Sequence, residues 1–136
     1  MDAPEAVADD ELLYRRISVA ANPQLYDPTT GSLSDKAFGP HKSSDQTGLS
    51  LFRARYKTIE EAAKGQPGRT YYVAVLKAGD LREAGIAVEP RPHVPDGYDI
   101  SHVELPQLNS ANYRSDETQE RQRVLADLAL EVKGPY

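Results

Sequence analysis

The stretch Thr70-Tyr71-Tyr72-Val73-Ala74-Val75-Leu76 decides the fold of this chain of 136 residues. Its side chains are apolar on both faces and rich in β-branched and aromatic types, which favour strands. Because such a strand must be covered on both faces, the segment is predicted to be the central strand of a sheet. It is also the longest apolar run of the chain, and it is far shorter than the roughly 20 residues that span a bilayer.

Two strands and a long loop are predicted on the N-terminal side of this segment. Residues 12–19 form an apolar stretch with β-branched and aromatic members, and residues 49–56 alternate between two faces. Residues 20–48 are rich in turn-forming residues, and only residues 33–38, with Ser34 as the cap, are predicted to hold a helical turn. A long, weakly regular segment in a small domain is often a functional loop.

Short helices are predicted on both sides of the central strand. The segment from Thr58 to Glu61 matches a capping box, in which each of these two side chains bonds the backbone N–H of the other residue. This helix is expected to end after about two turns at a Gly-Pro-Gly cluster. After the strand, Asp80 with Glu83 is expected to cap one more helical turn that Gly85 closes.

The C-terminal part is predicted to hold a loop, a strand and a long helix. Three prolines keep residues 90–99 out of a helix. Residues 100–105 alternate as a strand, with His102 and Glu104 on one face. A helix with a serine cap and an acidic first turn is predicted over residues 116–132. Its apolar stripe consists of Val124, Leu125, Leu128, Ala129 and Val132.

This order of elements predicts an α+β fold, in which a small mixed or antiparallel sheet is covered by a C-terminal helix. Residues 20–48 and 90–99 would be its two long irregular loops. Residues 1–11 are predicted to be a disordered acidic leader. Residues 12–136 are predicted to be a single domain, since a chain of this length usually forms one core.

Composition and charge exclude several classes of function. The chain holds 16 Lys and Arg against 21 Asp and Glu, for a net charge of -5, so general nucleic-acid binding is not expected. It has no Cys, which removes disulfides, thiolate nucleophiles and Cys-ligated zinc. With no membrane-spanning apolar run and an N-terminus unlike a signal peptide, a cytoplasmic protein is expected.

Arginines and tyrosines of the first two predicted strands form one candidate site. If these strands are neighbours, the guanidinium groups could clamp an anion, because their planar forks bind phosphate or carboxylate in bidentate fashion. Alternatively, they face solvent or pair with some of the 21 acidic residues. The candidate binding residues are Tyr14, Arg15, Arg16, Arg53, Arg55, Tyr56 and, on the later strand, His102.

His102 and Glu104 form a second candidate site. Residues two apart on a strand point the same way, so their side chains could share one pocket or metal ion. A third ligand could come from His93, Asp96 or Asp99 on the preceding loop. The spacing matches no familiar ligand pattern, so no metal site is assigned, and the alternative is a strand whose polar face meets water.

No serine hydrolase signature is visible in the sequence. A G-x-S-x-G motif is absent. The three histidines, His41, His93 and His102, lie far in sequence from any obvious catalytic serine. No Ser-His-Asp triad is therefore predicted.

Several short motifs occur in the order in which ADP-ribosyltransferase folds carry them. They are Leu13-Tyr14-Arg15, Leu49-Ser50-Leu51, the segment from Thr58 to Lys64, the segment from Tyr71 to Leu76, and Val103-Glu104. Over roughly residues 12–108 the chain resembles that family. The resemblance implies that Arg15 would hold the pyrophosphate of NAD, Ser50 would order the site, and Glu104 would steady the ribosyl cation.

The chain is also similar to small uncharacterised bacterial α+β proteins. The shared features are a Leu-x-Arg-Arg-Ile start at Leu13 to Ile17, a Ser-x-x-Ala-Phe turn at Ser34 to Phe38, and a Gly-Leu-Ser strand at Gly48 to Ser50. This resemblance implies a bacterial intracellular protein and no particular activity.

The sequence therefore predicts a small cytoplasmic bacterial protein that acts as a non-enzymatic accessory module. It would bind another protein or a small anionic ligand through the arginine and tyrosine face and the two long loops. The first alternative is an NAD-consuming enzyme like the ADP-ribosyltransferases, with NAD as its cofactor and Arg15, Ser50 and Glu104 at its centre. The second alternative is a metal-dependent hydrolase that uses His93, His102 and Glu104.

Overall fold

The structure, a computed structural model, describes residues 4–41 and 45–136 of the chain. It has the predicted α+β fold, built on a six-stranded antiparallel sheet with a helix near the C-terminus. None of the helices in these ranges is long and apolar enough to cross a membrane. In chain order the elements are β1 Leu12–Ser18, β2 Tyr26–Asp27, β3 Ser32–Leu33, a 3-10 helix Asp35–Phe38, β4 Leu49–Arg53, α1 Ile59–Ala62, β5 Tyr71–Lys77, α2 Ala78–Glu83, β6 Glu89–Pro90, β7 His93–Val94, β8 Gly97–Tyr98, β9 His102–Leu105, α3 Asp116–Leu128 and β10 Glu131–Lys133.

The strands of the main sheet lie in the order β10, β5, β1, β4, β9, β6, and each neighbouring pair is antiparallel. β5, the segment predicted to be central, is paired on both sides and is buried from Tyr71 to Leu76. The middle of the sheet is formed by β1 and β4. Two small hairpins, β2 with β3 and β7 with β8, lie in the two segments predicted to be long loops.

The apolar core lies on one face of the sheet, against the 3-10 helix and α3. On β1 the alternate residues Leu13, Arg15 and Ile17 are buried, which is the period of two expected of a strand with one face in the core. Leu51 of β4 and Leu125 of α3 belong to the same apolar cluster. The buried face of β1 therefore places a cation, Arg15, between apolar side chains.

Three of the predicted helix caps are present, including Ser115, whose hydroxyl accepts a hydrogen bond from the Thr118 N–H at the start of α3. The Thr58 hydroxyl accepts a hydrogen bond from the Glu61 N–H at 3.2 Å, and the Glu61 carboxylate accepts one from the Thr58 N–H at 3.0 Å, so the capping box of α1 is confirmed. Ser34 caps the 3-10 helix by accepting from the Lys36 N–H. The expected Asp80 cap is not formed, because α2 follows β5 directly and Asp80 lies in its first turn.

The last helix is shorter than predicted. The apolar stripe predicts a helix to residue 132, but α3 ends at Leu128 and the chain then forms β10 along the outer edge of β5. The backbone groups of β5 need partners on that edge, and the Leu130 N–H donates to the Val75 carbonyl at 2.8 Å. Pairing with a strand edge therefore overrides the helical periodicity of the sequence.

The segment before β1 is anchored to the sheet, which differs from the disordered leader predicted for residues 1–11. Val7 is buried in the apolar core, and the Glu11 carboxylate forms an ion pair with Arg53 at 2.6 Å. Because the Arg53 side chain is fully buried, its charge requires such a partner. Residues 1–3 lie outside the described part of the chain.

Candidate functional site

The candidate site is a cleft that opens where β1 and β4 separate. β1 pairs with β5 along its whole length, but it pairs with β4 only at Leu13–Arg53 and Tyr14–Phe52. The cleft beyond these pairs has a volume of about 750 Å³. Its described lining comes from four strands, β1, β4, β5 and β9, and from three other parts of the chain. These are the 3-10 helix, the segments on either side of that helix, and the segment that follows α1.

Arg15 and Asp45 form hydrogen bonds with the backbone groups of Ser50 that do not pair with β1. The Ala54 N–H donates to the Leu12 carbonyl of β1, and by alternation along β4 the backbone groups of Ser50 face the same side. There the Arg15 Nη1 donates to the Ser50 carbonyl at 3.0 Å, and the Ser50 N–H donates to Asp45 Oδ1 at 3.1 Å. The Arg15 and Asp45 side chains are both buried and lie 4.0 Å apart. A buried pair of charges thus fixes the backbone of Ser50 at the edge of the cleft.

The other donors of Arg15 bond neutral backbone carbonyls. Its Nε donates to the Ala37 carbonyl at 3.2 Å and its Nη2 to the Gly39 carbonyl at 3.4 Å. Burial lowers the pKa of Arg15, and the charge of Asp45 opposes that effect. Since a guanidinium stays protonated in proteins, Arg15 keeps its positive charge at the inner wall of the cleft, where Asp45 is its charged partner.

The described lining of the cleft is basic, although the chain as a whole is acidic. Five Lys and Arg side chains accompany a single carboxylate, Asp45, in a protein of net charge -5. A concave site lined by one sign of charge attracts ligands of the opposite sign. The five cationic residues are Arg15, Arg16, Lys36, Lys64 and Arg69, of which the last three are exposed.

Arg16 is held against two aromatic rings in the wall of the cleft. Its guanidinium lies 5.6 Å from the centre of the Phe52 ring and 5.3 Å from that of Tyr71. Its Nη1 donates to the carbonyls of Ala62 and Lys64 at the end of α1. Burial lowers the pKa of Arg16, against the effect of Tyr71. The Nε and Nη2 of Arg16 bond no residue in the ranges 4–41 and 45–136. Because Arg16 lines the cleft and is partly exposed, these donors are available to a ligand.

Ser50 and His102 form a hydrogen-bonded pair in the lining of the cleft. The Ser50 Oγ lies 3.0 Å from His102 Nε2. The other ring nitrogen, Nδ1, lies 2.7 Å from the Arg91 carbonyl, which can only accept, so Nδ1 carries the proton of the neutral ring. Nε2 is then the acceptor, and the Ser50 hydroxyl donates to it. His102 is 8% exposed.

His41 lies in the same cleft, beside Asp45. The His41 backbone N–H donates to Asp45 Oδ2 at 2.7 Å. Burial lowers the pKa of the His41 imidazole, and the charges of Arg15 and Arg16 lower it further, while Asp45 opposes them. The His41 ring is therefore neutral near pH 7.

Only some of the predicted binding residues reach the cleft. Arg15, Arg16 and His102 belong to its lining. Tyr14 lies between Phe52 and Val75 in the sheet register and is outside the described lining. The predicted face is therefore divided between the cleft and another part of the sheet.

Arg53 and Arg55 bind acidic residues of the segment before β1, and Tyr56 packs against both arginines. None of the three belongs to the described lining of the cleft. Arg53 is paired with Glu11, and Arg55 is paired with Glu5 at 2.7 Å. Both guanidinium groups lie against the Tyr56 ring, at 4.9 and 5.3 Å from its centre. These contacts match the alternative prediction, in which the arginines pair with acidic residues.

Glu104 lies beside the cleft without belonging to its described lining. It is the register partner of Ser50 on β9, and it is 8% exposed. Its Oε1 accepts a hydrogen bond from the Thr47 hydroxyl at 2.7 Å and lies 3.9 Å from Arg91 Nε. Of the residues named by the resemblance to ADP-ribosyltransferases, Arg15 and Ser50 meet at the cleft, and Glu104 is bonded next to it.

The residues named for a metal site do not converge. Within the described ranges, no three or more His, Asp and Glu side chains are grouped as a metal ion would require. Asp99 pairs with Lys57 at 2.9 Å. The His93 ring packs against that of Tyr98, with 5.4 Å between their centres.

The sequence analysis missed the Ser50–His102 pair. The two residues are 52 positions apart, and each lies on a strand that was predicted. Their pairing depends on β4 and β9 being neighbours in a particular register, which alternation within one strand does not specify. The available signal was that both are polar residues on strands with apolar neighbours.

No family model, no curated protein and no solved structure matches this chain. The likeness to ADP-ribosyltransferases and to small bacterial proteins therefore rests on short motifs alone. The functional argument rests on the geometry and charge of the cleft.

Proposed function

We propose that this protein binds a small anionic ligand, with a phosphate or carboxylate group, in the cleft between β1 and β4. The observation that carries the proposal is the presence of five cationic side chains and one carboxylate in the described lining, within a chain of net charge -5. Clustered like charges repel one another, and a bound anion relieves that repulsion.

The size and walls of the cleft suit a small molecule. Its volume of about 750 Å³ falls within the range of small-molecule sites, roughly 300 to 1,000 Å³. Phe52 and Tyr71 offer apolar surface for the organic part of a ligand, and the free donors of Arg16 lie beside them. Another protein, the other partner predicted from the sequence, is less well supported, because it would contact a broad surface and not a concave one.

An NAD-consuming activity is the alternative that shares this cleft. The positions of Arg15 and Ser50 favour it. Against it, three donors of Arg15 already bond backbone carbonyls, and the Glu104 carboxylate is bonded to Thr47 beside the cleft. We therefore favour binding of a smaller anion and include NAD among the ligands to be tested.

Isothermal titration calorimetry with phosphate, pyrophosphate, sulfate and NAD tests the proposal. We expect at least one of the inorganic anions to bind, with an affinity that falls as the salt concentration rises. In the double variant Lys64→Glu/Arg69→Glu the affinity is expected to fall about tenfold or more, because two attractive charges at the cleft become repulsive.

The double variant Arg114→Glu/Arg123→Glu is the matched control. Both arginines are exposed and lie outside the described lining, and the change in net charge is the same. An equal loss of affinity in this control, or the absence of anion binding by the wild-type protein, would contradict the proposal. Release of nicotinamide from NAD by the wild-type protein, but not by Glu104→Gln, would favour the NAD alternative.

A further inference from the structure

We propose that the Ser50 hydroxyl is a nucleophile activated by His102, and that the protein hydrolyses carboxylic esters of small anions. The anionic character of the ester rests on the proposed function, whereas the reactivity of Ser50 rests on the geometry of the pair alone.

The Ser50–His102 pair has the arrangement of an activated nucleophile. A base that removes the proton of a serine must present a lone pair within about 2.6 to 3.2 Å of its oxygen. His102 Nε2 lies 3.0 Å from Ser50 Oγ. A third group must orient the base, and the Arg91 carbonyl does so at 2.7 Å from Nδ1. This carbonyl occupies the place that a carboxylate takes in the Ser-His-Asp triad.

The nucleophile is fixed in position and reachable from the cleft. The backbone of Ser50 is bonded on one side of the strand by Arg15 and Asp45, which limits its movement. Ser50 and His102 both belong to the lining of the cleft, and Ser50 is partly exposed. The positive charge of Arg16 in the same cleft favours the negative charge that develops on an attacked carbonyl oxygen.

The reaction would proceed through an acyl-enzyme. Ser50 Oγ forms a bond to the ester carbonyl carbon while its proton passes to His102 Nε2. The bond between that carbon and the alcohol oxygen then breaks, and His102 returns the proton to the departing alcohol. A water molecule attacks the acyl-serine in the same way, giving its proton to His102. Ser50 recovers that proton as the carboxylic acid leaves.

A small neutral serine reagent, diisopropyl fluorophosphate, tests the reactivity of Ser50 without depending on anion binding. We expect intact-mass spectrometry to show one phosphoryl adduct on the wild-type protein, and peptide mapping to place it on Ser50. Ser50→Ala should remain unmodified. In His102→Gln the amide can accept a hydrogen bond from Ser50 but cannot remove its proton. Labelling should therefore slow by about 100-fold or more.

Ser32→Ala is the matched control. Ser32 is an exposed serine outside the described lining of the cleft, so this variant should be labelled at the wild-type rate. Labelling of wild-type protein at another residue, or no labelling under conditions that modify trypsin, would overturn the proposal. Equal labelling of a folded His102→Gln variant would do the same, and the peptide map of the wild-type protein decides the matter if that variant does not fold.

The ester specificity is tested separately with 4-nitrophenyl acetate and the 4-nitrophenyl monoester of succinate. We expect the wild-type protein to hydrolyse the anionic ester faster than the neutral one. In Lys64→Glu/Arg69→Glu this preference should disappear, whereas labelling of Ser50 by diisopropyl fluorophosphate should persist. Phosphate binding without labelling would overturn the nucleophile and leave the proposed function standing. Labelling without anion binding, or without a preference for the anionic ester, would overturn the anionic substrate class.

Discussion

The Arg53–Glu11 pair shows how a single buried charge organises the chain around it. Arg53 shares a strand face with Leu49 and Leu51, so its side chain points into the core. Its guanidinium is fully buried and bonds both oxygens of the Glu11 carboxylate, as well as the Glu5 carbonyl. The need to neutralise this charge explains why the segment before β1 lies against the sheet.

Removing Glu11 should destabilise the protein strongly. In Glu11→Ala the Arg53 charge stays buried without its partner, and such a loss typically costs about 3 kcal/mol or more. The free energy of unfolding in urea measures the effect. Arg55→Ala, which removes an exposed ion pair with Glu5, should leave the unfolding midpoint within error. Similar effects of the two substitutions would show that Arg53 does not depend on Glu11.

His41 should make anion binding depend on pH. Burial and the charges of Arg15 and Arg16 lower the pKa of His41, with only Asp45 opposing them. A bound anion would raise this pKa, so the complex takes up a proton and affinity should increase as the pH falls between about 8 and 5. Sulfate is the probe, since its own charge does not change there. His41→Gln should reduce this dependence, whereas His93→Gln should retain it.

At the scale of elements, α3 is attached through a narrower set of residues than its sequence indicates. The residues of α3 that are buried are Thr118, Gln122 and Leu125. Val124 and Leu128, which belong to the predicted stripe, are only partly buried. Since α3 contacts mainly the short 3-10 helix, the contact surface is small and includes polar groups.

Leu125 should therefore matter more than Leu128. Leu125→Ala removes a fully buried side chain, and the resulting cavity is expected to cost about 2 to 5 kcal/mol. Leu128→Ala should cost clearly less, because part of that side chain already contacts water. Chemical unfolding of the two variants side by side measures the difference. An equal loss would mean that both residues are packed to the same degree.

Features that depend on neighbouring residues could be predicted from the sequence, and those that depend on distant partners could not. The capping box at Thr58 and the apolar run of β5 are local patterns, and both are present. The end of α3 depends on the exposed edge of β5, which no local pattern reveals. At the site, Arg15, Ser50 and His102 could be selected individually by residue type and strand position. The contact between Ser50 and His102 required the sheet register.

At the scale of the whole molecule, the charge of the cleft is opposite in sign to the net charge of the chain. The chain is acidic, with a net charge of -5, yet the interior of the cleft is positive. Outside the cleft, several cationic side chains are paired with carboxylates, as in the pairs of Lys57 with Asp99 and Arg82 with Asp9. At physiological ionic strength, salt screens charges beyond about 8 Å, so an anion would be drawn to the cleft only at short range.

Acid should destabilise the fold through specific carboxylates. Burial alone would raise the pKa of Glu11 and of Asp99, but hydrogen bonds from Arg53 to Glu11, and from Ser101 and Lys57 to Asp99, outweigh it and lower both pKa values. A carboxyl group whose pKa is lower in the folded than in the unfolded state stabilises the fold when the pH is above its unfolded-state pKa. That stabilisation is lost as the pH falls through its folded-state pKa.

We therefore expect the free energy of unfolding to decrease as the pH falls below about 4. Urea denaturation at several pH values measures this dependence. Asp99→Asn cannot titrate, so its stability should change less over the same interval. A wild-type stability that is constant down to pH 3 would contradict the assignment.

β10 pairs with β5 and covers one edge of this strand, so shortened forms of the chain that lack β10 would expose that edge. Leu130, β10 and Tyr136 together occupy the outer backbone groups of β5 from Val75 to Tyr71. A chain cut after Leu128 would leave this apolar strand as a template for other copies. Light scattering should then show aggregates that the full-length chain does not form, so the last eight residues act as protection against aggregation.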